Sequence, residues 1–111
     1  MSKFTDIQSA TTTTLITKAN FLTNSSTNVK GSNKINVSRI SITNWGVGST
    51  NIKLFLDDLD GSDDYYIIGG VDIPQGVTYI YDEGFPVDLT NYDLKLTNTT
   101  SGTPRLTVRI N

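Results

Sequence analysis

The sequence contains no cysteine and no histidine. Without cysteine there is no disulfide and no thiolate metal site, and the redox compartment stays open. Without histidine the commonest general base and metal ligand is missing. A nucleophile would then need lysine or a carboxylate as its base. No apolar run approaches the ~20 residues that carry a helix across a bilayer. The opening Met1-Ser-Lys-Phe-Thr-Asp6 has no apolar core of a signal peptide. These absences predict a chain made and folded in a cytoplasm, with no membrane partner. Nine basic against eleven acidic residues give a net charge of −2, which argues against a protein devoted to nucleic acid. The hydrophobic share, 36%, is low for a globular chain of 111 residues, and serine, threonine and asparagine crowd the part before residue 34. A chain of this length holds one domain with one core.

What is present is β-pattern. In Leu89-Thr-Asn-Tyr-Asp-Leu-Lys-Leu96, Tyr92, Leu94 and Leu96 alternate with Asp93, Lys95 and Thr97. Period two marks a half-buried strand. Tyr92 follows a polar turn, the position of a tyrosine corner whose hydroxyl bonds to backbone upstream. Ile52, Leu54 and Leu56 alternate with Asn51, Lys53 and Phe55, and Leu106, Val108 and Ile110 face inward from a closing strand. Between Lys34 and Asn44 the apolar phase changes, from Ile35 and Val37 to Ile40 and Ile42, which predicts a bulge near Ser38-Arg39. Tyr65-Tyr-Ile-Ile68 returns from an aspartate turn as a hairpin partner, and Gly69-Gly70 breaks or bulges it. Pro74 and Gly76 close a tight turn before Val77, Tyr79 and Tyr81. A strand over about 13–23 and a loop through Lys30-Gly-Ser-Asn33 complete the series.

About seven strands at regular spacing, with no credible helix, predict an all-β fold: a single immunoglobulin-like β-sandwich of antiparallel strands. In that order 51–56, 92–97 and 105–110 share one sheet. Residues 13–111 form the domain. Residues 1–12 bury too little to be fixed alone and form an extended arm, either a frayed terminus or a strand added to a neighbouring subunit.

Three constellations bear on chemistry. Asp57, Asp58, Asp60, Asp63 and Asp64 surround Gly61. Clustered carboxylates suit Ca²⁺, but the EF-hand spacing is not met, and a solvated Asp-Gly hairpin turn is the plainer reading. Asp82, Glu83 and Asp88 are the carboxylates a glycosidase would use, yet they stand where strand ends carry solvated charge. No enzyme activity, catalytic residue, cofactor or metal site is expected. Trp45, Tyr65, Tyr66, Tyr79 and Tyr81 would stack on sugar rings if exposed, but the phase of Tyr79 and Tyr81 with Val77 favours packing. Lys53, Lys95, Arg105 and Arg109 all oppose the inward phase, together with Phe55 and Thr107. If the three strands share a sheet, they form a cationic face with an apolar centre. That is either ordinary solvated strand surface or a docking face for an acidic partner.

Ile73-Pro-Gln-Gly-Val-Thr-Tyr-Ile-Tyr-Asp82, then Tyr92-Asp-Leu-Lys-Leu96 and Leu106-Thr-Val-Arg-Ile110, resemble segments of small virion structural proteins of tailed bacteriophages, of the marine cyanobacterial phage type. The resemblance covers about residues 40–110. It implies a structural role in the particle, most simply as a capsid decoration or cement protein, with a neck or tail component close behind. Partners would be capsid, neck or tail proteins, contacted in many copies or as a homo-oligomer. A carbohydrate-binding attachment module, using Trp45 and the tyrosines, is the competing expectation.

Overall fold

A computed structural model describes residues 3–16, 34–100 and 103–111 of the chain. Among these residues the protein is all-β, with ten strands and no helix: β1 Lys3–Ile7, β2 Thr12–Ile16, β3 Lys34–Val37, β4 Ile40–Asn44, β5 Thr50–Asp58, β6 Asp64–Ile73, β7 Thr78–Tyr81, β8 Phe85–Asp88, β9 Tyr92–Thr100 and β10 Leu106–Ile110. Two four-stranded antiparallel sheets run in the orders β1-β10-β4-β7 and β2-β9-β5-β6, and β3 pairs with β8 as a two-stranded ribbon. The arrangement is consistent with a β-sandwich.

The core follows from alternation. Ile52 and Leu54 of β5, Leu94 and Leu96 of β9, Ile40 and Ile42 of β4, and Leu106, Val108 and Ile110 of β10 are buried in one apolar cluster. Ile35, Val37 and Val87 of the ribbon join it. Tyr79 and Tyr81 are half-buried and pack against it, whereas Val77, in the same phase, is exposed in the turn before β7.

Five expectations are corrected. The described residues hold ten strands rather than about seven, because β1 lacks an alternating apolar pattern, the segment 34–44 divides in two and Phe85–Asp88 form a strand of their own, β8. The segment 105–110 does not lie with 51–56 and 92–97: β10 sits in the other sheet, between β1 and β4. Phase tells which side of a strand is apolar, and two facing sheets present the same phase to one core. The strand expected over 34–44 is two strands, because the phase change at Ser38-Arg39 is a passage from ribbon to sheet rather than a bulge within one. There Ser38 and Arg39 donate their N–H groups to the Asn111 carbonyl, at 2.7 and 3.4 Å. The start of the expected arm is a strand of the chain's own sheet, with Lys3 opposite Ile110 and Ile7 opposite Leu106. Lys3 also donates from Nζ to the Leu15 carbonyl at 2.6 Å, tying β1 to β2; burial lowers its pKa from the usual lysine range. Finally, Tyr92 does not form a tyrosine corner. It is half-buried, its ring meets Tyr65 edge-on at 6.0 Å, and no hydrogen bond joins its hydroxyl to backbone among the described residues. Of the strand expected over 13–23, residues 13–16 belong to β2 and the rest lies outside the described residues, as does the Lys30–Asn33 loop.

Gly69-Gly70 does bulge β6, since the pairing with β5 shifts register between Ile52, opposite Val71, and Leu54, opposite Ile68; a second shift, between Leu54 and Phe55, falls at Ile67. Gly76 has φ of 81° and is the third residue of a turn closed by Val77 N–H to the Pro74 carbonyl at 3.2 Å, where a positive φ is needed.

Candidate functional site

The loops 8–11, 45–49 and 74–77 join strands of one four-stranded sheet to strands of the other at a common end of the molecule. Two fully buried asparagines organise it. Asn44 donates from Nδ2 to the carbonyls of Gly48 (2.9 Å) and Ile73 (2.8 Å) and accepts from Gly46 N–H (3.1 Å). Asn98 donates to the Ser9 carbonyl at 3.1 Å and accepts from Thr11 N–H at 3.3 Å. Gly46 has no alternative: a Cβ there would lie 2.3 Å from the Thr103 carbonyl oxygen. The residue held between these clasps is Trp45. Its N–H donates to the Arg105 carbonyl at 2.9 Å, and its indole Nε1 donates to Thr107 Oγ1 at 3.1 Å. The ring is nevertheless 51% exposed. It does not pack into an end of the sandwich.

The five residues expected on one cationic face divide between two. Lys53, Phe55 and Lys95 belong to the outer side of the β5–β9 sheet; Arg105 and Arg109 belong to β10 and the turn before it, in the other sheet. Phe55 is only 6% exposed, because Tyr66 of the bulged neighbouring strand covers it, ring to ring at 5.4 Å. Lys95 pairs with Asp57 at 2.7 Å, and that hydrogen bond raises its pKa. Beside them burial raises the pKa of Asp93, more than Lys95 lowers it, with Asp57 adding to the rise. Lys53 is exposed. Arg105 turns inward to backbone, donating to the carbonyls of Pro104 (2.8 Å) and Gln8 (3.3 Å). Arg109 is exposed and lies 5.8 Å from the centre of the Phe4 ring.

The acidic residues at 57–64 shape a turn. Asp58 accepts from Asp60 N–H at 3.0 Å and its own N–H donates to the Asp63 carbonyl at 3.1 Å. Among the described residues no three acidic side chains converge as a metal site. Asp88 caps its turn through Thr90 N–H and Asn91 Nδ2, at 3.1 and 2.9 Å. Asp88 also borders a cavity of about 270 Å³ with Lys34, Leu56, Pro86 and Tyr92. Glu83 accepts from the Tyr81 hydroxyl at 3.4 Å.

The sequence reading placed Thr107 on an outward face but missed Phe4, Asp6, Thr43 and Thr78 beside it. Phase exposes a threonine but does not say which strands lie side by side. Register does. Across the outer side of β1-β10-β4-β7, Phe4, Arg109, Ser41 and Ile80 form one cross-strand row, and Asp6, Thr107, Thr43 and Thr78 form the next.

On this sheet, strands and clasped loops present aromatic and polar side chains to solvent. No protein-family model matches the sequence, and no curated protein matches it. Among solved structures, the chain is similar to the Clostridium thermocellum N-terminal endo-1,4-β-D-xylanase 10B, in its CBM22-1 and GH10 modules complexed with xylohexaose. The identity is 14% and the TM-score 0.46, over 99% of this chain and 24% of that one. The chain thus spans about a quarter of that protein's length, and a likeness of this size bears on neither ligand nor activity.

Proposed function

We propose that the protein is a phage virion structural protein: a non-catalytic module that binds a particle surface, in first place as a capsid decoration or cement protein. The reading takes the two sheets as a β-sandwich whose strands alternate between layers in jelly-roll fashion, in place of the immunoglobulin order. The observation that carries it is the edge strand β6. It is ten residues long, and no strand pairs with its outer side among the described residues. An edge of that length is a template for strand addition. Tyr65 and Tyr66 stand exposed at its start, before the bulges, and Lys53 is exposed on the adjacent strand. Tyrosine offers a large, stiff contact area, and a nearby cation orients an acidic partner. The sequence resemblance over about residues 40–110 supports the same role, and repetition on a symmetric particle turns a weak contact into high occupancy.

Two measurements test this. Mass spectrometry of purified virions should find the chain at high copy number. Tyr66→Lys combined with Lys53→Glu should lower its occupancy on particles by about tenfold or more. The chain's presence in the infected cell but not in virions would overturn the reading. Full occupancy of the double variant would remove β6 as the contact.

A further inference from the structure

We infer that the outer face of β1-β10-β4-β7 binds an uncharged oligosaccharide, with Trp45 as the principal stacking platform. The face lies on the sheet opposite β6, and the inference does not rest on the virion reading.

The first support is orientation. Trp45 Nε1 donates to Thr107 Oγ1, and Thr107 donates in turn to Asp6 Oδ1 at 2.8 Å. This relay fixes a half-exposed indole from below, while the Trp45 backbone is tied to Arg105. Phe4, 65% exposed, is steadied by the Arg109 guanidinium beside its ring. Two aromatic rings held at low entropic cost suit the C–H faces of sugar rings.

The second support is the chemistry beside them. Thr107, Thr43 and Thr78 form a line of hydroxyls across three strands, with Thr43 and Thr78 bonded to each other at 2.9 Å. Ser41 lies in the next row, and the Asp6 carboxylate keeps lone pairs beyond the one used by Thr107. The hydroxyls can donate and accept and the carboxylate can accept, which suits the hydroxyls of a sugar.

The third support is charge and size. The two rows carry one carboxylate, Asp6, and one guanidinium, Arg109, so they favour neither an anionic nor a cationic ligand. Four strands ~4.8 Å apart and about five residues long give a face of roughly 320 Å² in projection, small beside the ~800 Å² of accessible surface that each partner buries in a stable protein interface. A short glycan fits that area where a folded partner does not.

Trp45 is the sole tryptophan of the chain, so its fluorescence reads the site directly. The purified chain is titrated with cellohexaose, maltohexaose, laminarihexaose and, as a charged control, a heparin hexasaccharide. The expected result is a saturable change with at least one neutral hexasaccharide. The affinity should fall about tenfold in Phe4→Ala and about threefold in Thr107→Val, both with unchanged circular dichroism. Calorimetry on Trp45→Ala, which has no reporter, should show no binding. The inference is overturned if no neutral hexasaccharide binds at millimolar concentration, or if the heparin fragment binds more tightly. It is equally overturned if binding survives in Trp45→Ala, or if Trp45→Ala changes the oligomeric state seen by light scattering, which would make the face a protein contact.

Discussion

At Asn44 a single side chain ties the 45–49 loop to the end of β6. It is fully buried and satisfies the carbonyls of Gly48 and Ile73 and the N–H of Gly46. An alanine there leaves those backbone groups without partners in a dry site, which costs more than the bonds themselves return. Asn44→Ala should lose about 3 kcal/mol in denaturant melts; a loss under about 1 kcal/mol would mean that water replaces the side chain. Asp93 makes the opposite case. Burial raises its pKa, with Asp57 adding to the effect against the pull of Lys95. A carboxyl whose folded pKa lies above its unfolded one contributes stability at low pH and loses it as pH rises through the folded value. Asp93→Asn should therefore stabilise slightly at pH 7, by about 0.5 kcal/mol or less. That gain should shrink as pH falls towards the ordinary aspartate range. A gain that grows on acidification would contradict the burial account. The role of Asn44 was invisible in the sequence: period two carries the inward phase of Ile40 and Ile42 on to it, but nothing in Thr43-Asn-Trp45 names its partners, two in the loop that follows and one at the end of β6.

At the scale of elements, β9 and β10 were legible because Leu94/Leu96 and Leu106/Val108/Ile110 keep strict period two. β1 was not. In Lys3-Phe-Thr-Asp-Ile7 the two apolar residues are three apart, so Ile7 faces the core while Phe4 lies on the outer face. A pattern search reads that as no strand at all. The same ambiguity hid which sheet took β10, and with it the split of Lys53 and Lys95 from Arg105 and Arg109. Phe55 shows a third limit, since an outward phase became burial once the bulged β6 laid Tyr66 across it. The pairing of β1 makes a definite claim. Deleting residues 1–7 removes the buried Ile7, the Lys3–Leu15 bond and a whole edge of the sheet. The loss should be about 2–4 kcal/mol, with the domain still folding cooperatively. Unchanged stability would return the segment to the role of a free arm.

Across the whole molecule the chain's first described strand lies beside its last, and β10 is interior to its sheet, with β1 on one side and β4 on the other. Contacts between strands a hundred residues apart form late and return nothing until the loop between them is closed. Position within the sheet then decides what a deletion does. Removing β1 exposes one edge, whereas removing residues 106–111 strips β1 of its partner, opens β4 along its length and uncovers Ile40 and Ile42. It also takes away Leu106, Val108 and Ile110 and the Asn111 carbonyl that Ser38 and Arg39 share. Three large buried side chains are worth about 1.5–3 kcal/mol each in transfer alone, which together rivals the 5–15 kcal/mol total stability of a domain. The 1–105 fragment should therefore show no cooperative melt and no dispersed amide spectrum, while the 8–111 fragment shows both. Adding the hexapeptide 106–111 in excess should restore structure to the longer fragment if the sheet order is right. A cooperative transition in 1–105 alone would place β10 at an edge and undo the order β1-β10-β4.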